Sequence, residues 1–291
     1  MAESLVETKR RIQTIQSTAK ITKAMKLVAS VKFQKWKKIF DDDEDYRLAM
    51  HDVMVRVLQS IPPRDYMKQS CLRSFSDTRN LYIVVTSSLG LCGSYNYNIF
   101  KMLDPVLKPD DELLLVGQKG YLHYKDGPYK LILDYLNLLD DLTYQNVKKM
   151  RHFIVRKYRE GGYQSVTLVY TVFKNTLTMV PTIKRMLPFE LSHYHLDENV
   201  PDYKPIFDPN AGEVLRLILP HYLDASFYNK FLMSEVSEQS SRRNAMETAT
   251  DSADELTDKL KIIYNKSRQE NITQEITEVV AGSMASKKQY D

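Results

Sequence analysis

The stretch NAMETATDSADELTDKLKIIYNKS, residues 244–267, decides the fold. Met246, Ala249, Ala253, Leu256, Leu260, Ile263 and Ser267 recur at steps of 3-4-3-4-3-4, one stripe along a helix. Ala and Ser keep that stripe narrow, and a stripe of this kind requires a second helix to cover it. The stretch lies within a longer one, from about Ala211 to Ser286. After Pro220 it meets no Gly or Pro until Gly282. At 1.5 Å per residue it predicts a helix of roughly 90–100 Å.

The opposite end of the chain supplies the partner. From about Glu3 to Gln59 there is no Gly and no Pro, and the next proline pair is Pro62–Pro63. That predicts one helix of roughly 80 Å. Leu5, Ile12, Ile15 and Ala19 follow coiled-coil steps, then Ile21, Met25 and Val28 resume them after a slip near Ala19–Ile21. Residues Lys9 to Lys38 hold ten bases and no acid. The later helix is acidic, with eleven acids against eight bases from Glu235 to Asp291. The charges are complementary, so an antiparallel pairing of the two helices is expected. The block Asp41–Asp45 reads as a solvated face or a fray point.

Between the helices the period changes. LYIVVTSS (81–88), ELLLVG (112–117), Leu131–Tyr135, SVTLVYTVF (165–173) and TLTMVPTIKRML (176–187) read as strands. Tyr95–Leu107, Gln118–Lys125 and Tyr144–Tyr158 read as helices. Pro181 assigns the last strand to an edge. Alternating strands and helices predict a largely parallel sheet. The fold class is therefore α/β with long helices. The N- and C-terminal helices form an antiparallel coiled coil, with a Rossmann-like α/β domain between them. The expected divisions are 1–60, 61–210 and 211–291.

The chain has 291 residues, 43% of them hydrophobic and 27% charged, with a net charge of +4. That is enough apolar content for a core and argues against disorder. Two cysteines, Cys71 and Cys92, make no disulfide scaffold and suggest a reducing compartment. No apolar run approaches the roughly 18–20 residues of a membrane span. The start, MAESLVETKRR, has no apolar signal-peptide core.

The chemical motifs are sparse. Gly90-Leu91-Cys92-Gly93 lies between a strand and a helix, where a phosphate loop would sit. It matches neither nucleotide-binding glycine pattern, so a tight turn is the plainer reading. Cys92 has no nearby His or Lys to activate it. His193-Tyr194-His195 lacks a third metal ligand. The basic run could hold nucleic-acid phosphates, but only Phe33 and Trp36 are available for stacking.

RRIQTIQSTAKITKAMKLVASVKF (10–33), centred on Lys20-Ile21-Thr22-Lys23-Ala24-Met25, resembles the N-terminal signature of the gamma subunits of F-type ATP synthases. Residues 237–285 resemble the C-terminal signature of that family. They include Ala245-Met246, Tyr264-Asn265, Arg268-Gln269, Ile272-Thr273 and Glu275-Ile276. VVTSSLGLCGSYNYNI (84–99) and NTLTMVPTIKRMLPF (175–189) resemble its middle motifs. The resemblance covers nearly the whole chain.

That resemblance implies a central-stalk rotor inside a hexamer of α and β subunits, coupling rotation to ATP synthesis or hydrolysis and to proton translocation. It implies no catalytic side chain and no metal or cofactor on this chain, ATP, ADP and Mg being held by the partner subunits. Further implied partners are a small epsilon-type stalk subunit and the membrane c-ring, with no nucleic acid. The implied location is cytoplasmic, peripheral to the inner face of a bacterial cell membrane.

Residue by residue, Lys23, Met25 and Lys26 match a basic stretch facing an acidic loop of β. Arg268, Gln269, Thr273 and Glu275 match contacts near the upper bearing, with Arg242 lower on the shaft. Phe207-Asp208-Pro209 matches the ring contact. Four features depart from the family pattern: Ser88 for Asp, Arg243 for Met, Phe207-Asp208 for Tyr-Glu, and the tail Ser286–Asp291. They leave room for a divergent F-type-like ATPase rotor that is not coupled to protons and serves another mechanical task. A basic coiled-coil nucleic-acid binder and a stand-alone nucleotide enzyme remain as readings from other classes. Neither explains both long helices and both end signatures.

Overall fold

A computed structural model describes residues 5–61, 79–160, 162–189 and 206–288. The expectations for Cys71 and for His193 and His195 lie outside the described residues. Helix α1 spans Leu5–Gln59 and helix α5 spans Ala211–Lys288. Between them come β1 (Asn80–Val85), α2 (Tyr95–Leu103), β2 (Glu112–Val116), α3 (Gln118–Tyr124) and β3 (Lys130–Ile132). A 3₁₀ turn at Leu138–Asp141 is followed by α4 (Tyr144–Arg159), β4 (Ser165–Phe173) and β5 (Met179–Leu187). Every expected strand and helix is present, most of them trimmed by a few residues.

Two compact units emerge, and the division cuts both long helices. The first combines residues up to Val28 with those from Arg243 onward; the second is Ala29–Arg242. The boundaries expected at 60 and 210 follow the sequence punctuation instead. The difference has a packing cause. The later part of α1 (Met54, Val57, Leu58) and the earlier part of α5 (Leu215, Leu219, Phe227, Phe231) are buried in the second unit's core.

The sheet runs β3-β2-β1-β4-β5, with the first four strands parallel and β5 antiparallel on β4. Pro181 sits on that edge strand, opposite Thr171, as a residue without an N–H must. Both faces are covered, which explains the unbroken apolar runs of the strands. Leu81, Ile83 and Val85 point into a core shared with α1, α4 and α5. Tyr82 and Val84 point into a second core with Tyr95, Ile99 and Leu103 of α2. Gly117 closes the loop after β2 at φ 94°, where an added Cβ would stand 2.0 Å from Thr86 O.

Polar groups lock α5 into this unit. Arg151 of α4 forks onto Asp224, Nε to Oδ1 at 2.7 Å and Nη2 to Oδ2 at 2.9 Å, both side chains buried. The acidic block of α1 is partly engaged, contrary to the solvated-face reading. Asn229 Nδ2 donates to Asp43 at 3.1 Å and to Glu44 at 3.0 Å, and Glu44 also takes a fork from Arg47.

Candidate functional site

Strand order reverses between β1 and β4, and in open α/β sheets ligands enter the crevice outside such a point. Here α5 takes that place. Ser241 Oγ donates to Cys92 O at 2.7 Å, and Arg242 Nη2 to Leu89 O at 3.0 Å. Ser237 Oγ donates to Thr171 O and Ser240 Oγ to Thr176 O, each at 3.2 Å. The Gly90–Gly93 loop is therefore a docking turn for the chain's own helix. Cys92 is buried, and burial pushes its thiol up, away from nucleophilic use. No cluster of three or more metal-ligating side chains occurs among the described residues.

The first unit carries most of the residues singled out from sequence. Thr22 Oγ1 lies 2.7 Å from Thr250 Oγ1, and Lys26 Nζ lies 2.7 Å from Glu247 Oε1. Four residues forward on α1 correspond to three backward on α5, so the pairing is antiparallel. The buried stripe on α5 runs through Met246, Ala253, Thr257 and Leu260, with Thr250, Tyr264 and Ser267 half-buried. The expected stripe shares Met246, Ala253, Leu260 and Ser267. It errs at Leu256 and Ile263, which are 43% and 50% exposed. On α1 the stripe continues without a slip through Thr8, Ile12, Ile15, Ala19 and Thr22, leaving Ile21 60% exposed.

At Thr22, Thr250 and Thr257 the close helix pair takes short side chains in place of the bulkier apolar ones beside them, and a threonine can return its hydroxyl to its own helix, as Thr250 Oγ1 does to Met246 O at 2.7 Å. Choosing the most apolar residue at each step selected the flank. The displaced residues then form exposed apolar bands: Val6, Ile21, Leu27 and Val28 on α1, and Leu256, Ile262 and Ile263 on α5. Such patches mark contact surfaces.

By the same register Leu5 falls opposite Ser267. Beyond it, residues 268–283 of α5 are all exposed. Ile272, Ile276 and Val279 form a stripe on this stretch, which has no partner helix among the described residues. Arg268 and Glu275, seven apart, border it on one side; Gln269 and Thr273, four apart, border it on the other. Thr273 Oγ1 donates to Gln269 O at 2.9 Å. Lys23 is exposed, Met25 half-buried, and Lys26 is held by Glu247.

Comparison with known proteins fits this geometry. A family model described as ATP synthase matches residues 4–285. The ATP synthase gamma chain of Mycoplasma mobile is 38% identical over 286 residues, covering 97% of this chain and 99% of that relative. The one from Clostridium pasteurianum is 34% identical over 290 residues, covering 99% and 100%. The chain belongs to the gamma subunits of F-type ATP synthases. Among solved structures, the central stalk of Tetrahymena thermophila mitochondrial ATP synthase superimposes with TM-score 0.58 at 26% identity, over 79% of this chain and 99% of that one. A chain of Euglena gracilis mitochondrial ATP synthase shares the fold, with TM-score 0.64 at 16% identity over 97% and 94%. The protein is thus a central-stalk subunit and part of an ATP synthase complex.

For a gamma subunit, the departures now have places. Ser88 has a buried hydroxyl without a hydrogen-bond partner among the described residues. Phe207 packs on the core shared with α5, while Asp208 is exposed ahead of Pro209. Asn210 then caps α5, its Oδ1 accepting from Glu213 N at 3.0 Å. Arg242 is buried, and the carboxylate it meets is its own chain's Glu238, at 2.7 Å. No spacing in the sequence shows that the β1 loop reaches this turn of α5, where Arg242 also bonds Leu89 O. No described helix is long and apolar enough to cross a membrane.

Proposed function

We propose that the paired helices turn as a shaft within a ring of alternating α and β subunits. The second unit contacts a small epsilon-type subunit and the membrane c-ring. The observation that supports this reading most is the bare end of α5. Sixteen consecutive exposed residues, 268–283, with an apolar stripe are unfavourable in water and suit a close-fitting sleeve. The exposed band on the coil is also uneven around its circumference. Catalytic subunits around it meet different surfaces at different angles. Coupling needs that difference, since a shaft contacting every state equally shifts no equilibrium.

In this reading the chain contributes no catalytic group. ATP, ADP and Mg are held by the ring, and the shaft decides which site is open. Lys23, Met25 and Lys26 face an acidic loop of β; Arg268, Gln269, Thr273 and Glu275 line the upper bearing; Asp208 and Phe207 lie at the ring contact. Torque then couples ATP synthesis or hydrolysis to proton translocation, with the complex peripheral to the inner face of the cell membrane.

Native mass spectrometry of the complex purified through a tag on this chain tests the proposal. One copy with three each of two nucleotide-binding chains is the expected result. A monomer or dimer without such a hexamer would overturn it. ATP-driven proton pumping by the reconstituted complex is expected; ATP turnover without pumping would remove the proton-coupled part and leave a rotor serving another mechanical task.

A further inference from the structure

A cavity of about 790 Å³ opens in the second unit between α4 and the first turns of α5. Its floor is apolar. Tyr135 and Phe153, ring centroids 5.6 Å apart, are joined there by Leu219, Pro220 and Leu223 of α5. Its rim is basic. Lys149, His152, Arg156 and Arg159 line it from α4, and all four are exposed. They follow at steps of 3-4-3, so they stand along one face of the helix over about 15 Å.

Two other lining arginines are spent within the chain. Arg151 forks onto Asp224, and Arg216 reaches Glu213 Oε2 at 2.9 Å. The rim is not spent. Lys149 Nζ meets a neutral acceptor, Asn146 Oδ1, at 3.4 Å. Arg156 lies over the Phe153 ring, 5.9 Å from its centroid. None of Lys149, Arg156 and Arg159 pairs with a carboxylate among the described residues. Helix α4 itself holds no acid. Glu160, just past its end, is the one unpaired carboxylate among the described lining residues, and three permanent cations stand against it.

A basic rim over a recessed apolar floor selects its occupant. A planar anionic surface would touch the rim and leave the floor wet. A phosphate backbone would likewise use the rim alone. A polypeptide uses both, because one segment can carry carboxylates and apolar side chains together. The length of the rim matches two to three turns of helix. We propose that this cavity docks an acidic segment of another polypeptide, its apolar side chains on the floor and its carboxylates on Lys149, Arg156 and Arg159. The proposal rests on the reading that this unit sits within a complex, and it gives one contact of that complex a surface and a chemistry.

Zero-length carbodiimide coupling of the complex purified through a tag on this chain tests the proposal. Peptide mass spectrometry is expected to find Lys149 joined to an acid of a companion chain. Arg156→Glu with Arg159→Glu is expected to lower that link, and retention of the companion, about 10-fold or more. Arg156→Gln with Arg159→Gln decides the matter if the charge-reversed chain fails to fold. Replacing the linked acids of the companion by lysine should restore its retention by the charge-reversed chain, which a purely structural role would not allow. Lys149 joined only to acids of its own chain would overturn the proposal. So would full retention by the folded variants, or a nucleic acid held in place of the companion. Recovery of this chain with no companion at all would overturn the assembly reading, and the proposal with it.

Discussion

Arg242 Nη1 lies 2.7 Å from Glu238 Oε1, one turn back on α5, and both side chains are buried. The same guanidinium reaches Leu89 O and so ties the β1 loop to the helix. Removing one member leaves a buried charge uncompensated. Arg242→Met is expected to destabilise the chain by about 3–5 kcal/mol. The double variant Glu238→Leu with Arg242→Met should lose less than Arg242→Met alone. Urea denaturation of the parent, the two single variants and the double variant in a double-mutant cycle reads the difference. Equal losses would show that the loop bond, and not the ion pair, carries the effect.

The seam correction makes a sharp contrast. Thr257 is buried and Leu256, its neighbour, is 43% exposed. Thr257→Arg is expected to separate the helix pair and lower the thermal midpoint. Leu256→Arg should change stability by no more than about 0.5 kcal/mol, yet reduce assembly into the complex. The opposite pattern would restore the stripe inferred from apolarity alone.

These cases show what sequence carried and what it did not. The strands of the sheet were legible because parallel strands buried on both faces read as unbroken apolar runs, as in Leu81–Val85. The long helices were legible from the missing Gly and Pro. The seam was only half legible. Small residues mark closeness, whereas Leu256 and Ile263 mark hydrophobicity, and in a close pair the two part company. Arg242 was singled out, but its bonds to Glu238 and to Leu89 O depend on the folded loop and were not legible.

Glu235 gives a pH dependence. Burial, with Glu238 beside it, pushes its carboxyl from an ordinary 4.5 up to about 8, although Gln239 donates to it at 3.0 Å. The folded chain therefore binds this proton more tightly than the unfolded chain does. Its stabilising contribution is complete below about pH 4.5 and is lost as pH rises towards 8. Glu235→Gln removes that loss. The variant should match the parent near pH 4.5 and exceed it in urea midpoint at pH 8.5. Glu238, also raised by burial, keeps a slope of the same sign in both proteins. A variant weaker than the parent at pH 8.5 would mean that the carboxylate is accommodated in its charged form.

The shaft proposal stands or falls on the end of α5 and on Met25. Ile276 is 59% exposed on the unaccompanied stripe, and Met25 is half-buried beside the Lys26–Glu247 pair. Ile276→Asp removes apolar surface without touching the chain's own core, so its effect on the isolated chain should stay within about 0.5 kcal/mol. In the assembled complex a carboxylate there would have to enter an apolar sleeve, which is costly without a partner. ATP turnover should then persist while its coupling to rotation falls. Met25→Lys adds a charge against β and should also lower coupling. Rotation of single complexes, scored against ATP consumed, measures both. Full coupling in Met25→Lys would remove the assignment of Lys23, Met25 and Lys26 to a contact with β, and full coupling in Ile276→Asp would remove the bearing.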